Sequence, residues 1–103
     1  MKIIKVLSEK IKDELHDAES YAKMALEYKD EWPELSRTLY NLSAQEMEHM
    51  NLLHNEVAAI IKKYRETNGE PPADMLAVYE YLHKEQIEKA VEVKTLQNMY
   101  KDS

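Results

Sequence analysis

Apolar side chains recur in alternating steps of three and four along three long stretches of the chain, and two short segments with proline separate them. This spacing is typical of one face of an α-helix, because 3.6 residues complete a turn. The stretches cover roughly residues 3–29, 33–66 and 73–101. At 103 residues the chain has the length of one domain. The pattern therefore predicts an all-α fold of three helices in a single domain, 1–103.

Each stretch has an expected inward face. In the first helix this face is Ile4, Leu7, Ile11, Glu14, Ala18, Tyr21, Ala25 and Tyr28. In the second it is Leu35, Leu39, Leu42, Glu46, His49, Leu53, then Val57 or Glu56, Ile60 and Tyr64. In the third it is Met75, Tyr79, Leu82, Gln86, Ala90, Val93, Gln97 and Tyr100. Ionisable side chains therefore interrupt the apolar faces of the first two helices.

The two connections carry helix-end signals. In KDEWPELS, Pro33 suits the first turn of a helix, and Glu34 is favourable beside the positive end of the helix dipole. In ETNGEPPADM, Asn68-Gly69 is typical of a helix end, and Pro71-Pro72 opens the next element. Because both connections are short, we expect neighbouring helices to be antiparallel, in an up-down-up three-helix unit.

Composition excludes several classes of function. One Gly and an abundance of helix-forming residues disfavour a sheet. A formal charge of −6 argues against binding nucleic acid through phosphate contacts. The absence of Cys removes disulfides, thiolate metal sites and redox thiols. No apolar run has membrane-spanning length, and the start turns polar too soon for a signal peptide, so we expect no membrane contact and a cytoplasmic protein.

Glu14, Glu46 and His49 interrupt the apolar faces with the side-chain types that bind metal. A buried, unpaired carboxylate is unfavourable, so such groups are normally paired or bind a cation. The i, i+3 spacing of Glu46 and His49 puts both on one face, one turn apart. Counted from the first connection at about 1.5 Å per residue, Glu14 and His49 reach nearly the same level of the bundle. The three residues are therefore candidate ligands of one metal site, and the competing interpretation is a hydrogen-bonded core histidine in a buried ion pair.

Two sequence segments carry a family resemblance. The segment ELHDAESYAKMA, with Glu14, Tyr21 and Ala25, resembles the first helix of rubrerythrin-type ferritin-like proteins. The segment LSAQEMEHMNLL, with Glu46 and His49, resembles the second helix of that family. The resemblance covers residues 4–65, a little under two thirds of the chain.

The resemblance implies a ferritin-like fold and half of a di-iron carboxylate site. Glu14, Glu46 and His49 would be metal ligands, and Tyr21 would donate a hydrogen bond to a ligand carboxylate. Carboxylate oxygen and imidazole nitrogen suit iron or manganese. The implied chemistry is oxidation of ferrous iron by oxygen or peroxide.

The chain departs from the family because it has three helices where the family has four. One route to a complete site uses the second ExxH, Glu80 and His83, in the third helix. The other is a homodimer or higher homo-oligomer in which each chain donates half of the ligands. His54, five residues past His49, lies off the ligand face and is expected at the surface. The alternative function is a non-catalytic helical adaptor or oligomerisation module with a buried polar layer.

Overall fold

The computed structural model describes residues 2–103 and contains three α-helices: α1 (Lys2–Glu27), α2 (Pro33–Asn68) and α3 (Ala73–Asp102). No strand occurs in this part of the chain, which confirms the expected all-helical class. The predicted helix ends lie within two residues of the observed ones. At about 1.5 Å per residue the 36 residues of α2 account for the longest dimension, 55 Å.

The helix ends follow the local signals in the sequence. Pro33 occupies the first turn of α2, where a missing N–H has no intrahelical partner to lose, and Glu34 lies beside the positive end of the dipole. Gly69 ends α2 with a φ of 78°, a value that glycine adopts without the strain a Cβ would bring. Its N–H donates to the Arg65 carbonyl at 3.1 Å. Both expected helix ends are confirmed.

Helices α1 and α2 approach closely through alanines and serines. The Ser43 hydroxyl donates to the Ala18 carbonyl at 2.7 Å, and the Ser36 hydroxyl donates to the Ala25 carbonyl. Ala18, Ser36 and Ser43 are fully buried. Ser36 pairs with Ala25 and Ser43, further along α2, pairs with Ala18, which comes earlier in α1. The two helices therefore run in opposite directions.

This small-residue contact moves part of each inward face by one position. Ile4, Ile11, Ala18 and Ala25 of α1 and Leu39 and Val57 of α2 are buried as expected, but other positions of the same faces are not. On α1, Leu15 and Ala22 are buried where Glu14 and Tyr21 were expected. The residues of α2 that are buried in place of their expected neighbours are Ser36, Ser43, Met50 and Ile61. The reason is steric, because close backbone approach requires small side chains at the contact and displaces the larger ones to its edges.

A larger apolar cluster lies toward the end of the bundle where α1 begins. Its buried members are Ile4, Ile11, Leu15, Met50, Val57 and Ile61. Tyr79 and Ala90 of α3 pack against it while remaining partly exposed. The cluster is shared by all three helices.

Helix α3 packs more extensively on α1 than on α2. In its C-terminal half Val93 and Gln97 are buried, and the Gln97 side-chain amide donates to the Ser43 hydroxyl at 2.9 Å. The Lys89 ammonium pairs with the Glu19 carboxylate of α1 at 2.8 Å, and this hydrogen bond lowers the pKa of Glu19. The N-terminal half of α3 has no fully buried residue.

Among the described residues, no helix combines the length and the apolar character that crossing a bilayer would require.

Ser43 connects all three helices, and its replacement tests this connection. The hydroxyl donates to α1 and accepts from α3. We expect Ser43→Ala to lower the free energy of unfolding by about 1–3 kcal/mol, because it removes the hydrogen bond to α1 and leaves the buried Gln97 amide without its acceptor. The matched control is Thr38→Ala, whose exposed hydroxyl bonds only within α2. Urea unfolding of both variants measures the difference, and equal midpoints would contradict the assigned role of Ser43.

Candidate metal centre

Two carboxylates and one imidazole come together between α1 and α2. The His49 Nδ1 atom lies 3.6 Å from Glu14 Oε2 and 3.8 Å from Glu46 Oε2. One ligand atom from each residue can be chosen so that all three lie within 4.8 Å of one another. We call these three residues the carboxylate–histidine group. It is the one such group of three found in residues 2–103.

Helix geometry explains why these side chains meet. Glu46 and His49 are one turn apart on α2 and therefore share a face. The Ser43–Ala18 hydrogen bond fixes the register of α2 on α1 one turn away. That register sets Glu14 of α1 at the level of His49, as counting from the first connection predicts.

The group lies at the edge of the α1–α2 interface, and the expectation that His49 points inward is wrong. The side chains of Glu14 and Glu46 are 17% and 19% exposed, and that of His49 is 54% exposed. Leu15 and Met50, the residues that follow Glu14 and His49, fill the core at this level, which leaves the group at the edge.

The donor set fits a hard or borderline divalent ion. Ligands held about 2.1 Å from an ion are separated by at most about 4.2 Å. Both histidine–carboxylate distances satisfy that limit, and the three ligand atoms together lie within 4.8 Å of one another. Carboxylate oxygen with imidazole nitrogen is the set that iron and manganese accept. Three protein ligands from one chain leave further coordination positions to be filled from elsewhere.

The second ExxH of the sequence lies outside this group. Glu80 is exposed on α3, and the His83 ring stacks on the His54 ring with centroids 4.9 Å apart. Tyr21 is half-buried two turns along α1 from Glu14, and no hydrogen bond joins its hydroxyl to a carboxylate in the described chain. The structure thus brings together Glu14, Glu46 and His49, without Glu80 or His83.

The contact of His54 with His83 was not predicted from the sequence. His54 was expected at the surface, but it is half-buried between α2 and α3 against His83. Five residues separate it from His49, which places it about 140° around the helix, on the flank that α3 covers. Two features of the sequence could have predicted this contact: the angle of about 140° between His49 and His54 around α2, and the histidine at position 83 on the flank of α3.

Comparison with protein families, with curated proteins and with solved structures finds no match to this chain.

Proposed function

We propose that the carboxylate–histidine group binds iron or manganese and forms half of a dimetal-carboxylate centre in a ferritin-like, up-down-up helical protein. The observation that carries this proposal is the convergence of Glu14, Glu46 and His49 from two helices within 4.8 Å. The chemistry of a metal centre bound by carboxylates and imidazole would be the oxidation of ferrous iron by oxygen or peroxide. The chain's own residues bind the ions and hold them at the α1–α2 edge.

The side of the α1–α2 pair that carries this group faces away from α3. Glu19, which pairs with Lys89 of α3, is five residues from Glu14 and hence about 140° around α1. The half-buried side chains that flank the group at helical spacing are Leu7, Tyr21, Leu42 and Leu53. Beyond them, Ile3 and Leu35 are exposed apolar residues at the two ends of the same face. An apolar surface with ligands at its centre favours coverage by another protein surface.

A second copy of the chain is the partner that also completes the ligand set. Two copies related by a two-fold axis beside the group present the same patch to each other. Together they supply four carboxylates and two imidazoles, which matches the usual complement of a dimetal-carboxylate site. The two α1–α2 pairs would then form a four-helix bundle. Within residues 2–103 one chain offers three ligands at this place.

Metal titration combined with solution mass tests the proposal. Chelator-treated protein is titrated anaerobically with Fe(II) or with Mn(II), and metal content is measured after gel filtration. We expect about one ion per chain and a dimer or a multiple of it by light scattering. Metal at a hundredfold excess over its Kd should stabilise the fold by about 2.7 kcal/mol, which thermal unfolding detects. Absence of both uptake and stabilisation would overturn the metal assignment.

A specific observation supports a second candidate function, a non-catalytic helical oligomerisation module. The His49 Nδ1 atom lies 3.6 and 3.8 Å from two carboxylate oxygens, a separation within ion-pair range without any metal. In that function the three residues would fix the register between chains as a polar layer. A protein that is dimeric yet takes up no metal in the titration would favour it. A monomer that binds metal would instead place the whole site in one chain.

A further inference from the structure

The interface between α2 and α3 contains two pairs of stacked rings. Tyr40 and Tyr100 stack with centroids 4.7 Å apart near the C-terminus of α3. His54 and His83 stack at 4.9 Å with planes 16° apart. Tyr79 extends the second stack, with its centroid 5.9 Å from that of His83. We call the second pair the His54–His83 stack.

The two halves of α3 are held with different strength. The C-terminal half has buried Val93 and Gln97, the tyrosine stack, and a bond from the Lys29 ammonium to the Tyr100 carbonyl at 2.8 Å. The N-terminal half has no fully buried residue. Helices α2 and α3 have the sparsest contact of the three helix pairs, and the His54–His83 stack is one of the contacts that join them in this half.

We propose that the His54–His83 stack is a pH-dependent contact. It holds the N-terminal half of α3 against α2 at neutral pH and releases it when both imidazoles are protonated. Two neutral rings stack favourably in a half-buried setting. Two imidazolium rings at 4.9 Å repel each other and must also be desolvated. The tyrosine stack contains no imidazole, so the C-terminal half stays in place.

The surroundings of the stack offer little to neutralise a second proton. Residues one turn from His54 on α2 do not ionise: Met50, Asn51, Val57 and Ala58. Residues one turn from His83 on α3 are Tyr79, Glu80, Gln86 and Ile87. The buried side chains of α1 at this end are Ile4, Ser8 and Ile11.

Among these neighbours Glu80 and Tyr79 are the titratable groups. Glu80 is exposed, so solvent screens its carboxylate. Burial raises the pKa of Tyr79, a shift that Arg65 of α2 opposes, and the phenol therefore stays neutral. The His83 Nδ1 atom is buried without a hydrogen-bond partner in residues 2–103, so no local acceptor receives a proton placed there.

The direction of the pH effect follows from the same contacts. Burial, and then the neighbouring His83 charge, lower the pKa of His54 below its usual 6.5. A depressed pKa in the folded chain means that the unfolded chain binds more protons at acid pH. The contribution of the stack is therefore complete above about 6.5 and is lost as the pH falls through the folded-state pKa.

Release of this half of α3 would widen a groove between α1 and α3. The groove has a volume of about 900 Å³ and is lined by apolar side chains that include Leu15, Ile61, Tyr79 and Leu82. Tyr79 belongs to both the groove and the stack. Protonation of the two histidines is thereby coupled to exposure of apolar surface on the flank opposite the carboxylate–histidine group.

Distance measurement between spin labels tests this pH-dependent contact. Because the chain has no Cys, exposed residues can be replaced in pairs: Ala59→Cys with Ala77→Cys spans the N-terminal half of α3, and Asn41→Cys with Asn98→Cys spans the C-terminal half. Labelled chains are diluted into unlabelled protein with chelator present, so neither metal nor a partner copy contributes. Samples are compared at about pH 7.5 and about pH 5, on either side of the histidine range.

We expect the 59–77 distance distribution to gain a longer component at acid pH and to lose it on return to neutral pH, while the 41–98 distribution does not change. Introducing His54→Phe and His83→Phe keeps two flat rings without the charges, so the longer component should disappear. If circular dichroism shows that this double variant loses helicity at neutral pH, His54→Gln replaces it and should give a smaller longer component than the parent. An unchanged 59–77 distance at acid pH, or a change that persists in these variants, would overturn the proposal.

Discussion

We expect His49→Ala and Glu46→Ala to abolish uptake of Fe(II) and Mn(II) by the purified protein. Each substitution removes one of the three ligand side chains that lie within 4.8 Å of one another. Loss of a residue that merely supports a ligand typically weakens metal affinity about 10–100-fold, so loss of a ligand should exceed that. Anaerobic titration followed by metal analysis of the gel-filtered protein measures the effect.

Two exposed residues provide matched controls for these ligand variants. Glu48→Ala removes a carboxylate from α2, and His16→Ala removes an imidazole from α1, and neither residue belongs to the carboxylate–histidine group. Both controls should retain uptake. Equal uptake by His49→Ala and His16→Ala would show that metal binds elsewhere. Circular dichroism of each variant separates loss of a ligand from loss of the fold.

The largest effect on stability is expected from Leu15→Ala. Leu15 is 2% exposed and belongs to the apolar cluster shared by the three helices. Truncation of a buried leucine removes apolar burial and leaves a cavity, which together lower the free energy of unfolding by about 2–5 kcal/mol. Urea unfolding monitored by circular dichroism measures the change.

Leu52→Ala is the matched control for this substitution. Leu52 is 65% exposed on α2, so its truncation should change the free energy of unfolding by no more than about 0.5 kcal/mol. The pair also tests which residue of α1 lies in the core. The spacing of apolar residues in the sequence predicts that position 14 points inward, whereas the structure buries Leu15. Similar losses in the two variants would contradict a core centred on Leu15.

The polar side chains of the small-residue contact explain why the inward faces were misplaced. A prediction from the spacing of apolar residues assigns Ser36 and Ser43 to the surface and Leu35 and Leu42 to the core. In the structure both serines are fully buried, because their hydroxyls donate to carbonyls of α1 and are thus satisfied. Their small volume lets the backbones approach, and Leu35 remains exposed.

The sequence by itself determined the three helices, their ends and the level at which Glu14 meets His49. These depend on helical periodicity, on Pro33 and Gly69, and on a constant rise per residue, all of which are local properties. Only the tertiary structure decided which way each helix is rotated. That rotation follows from which side chains fit between two backbones, and it places the carboxylate–histidine group at an open edge and His54 against His83.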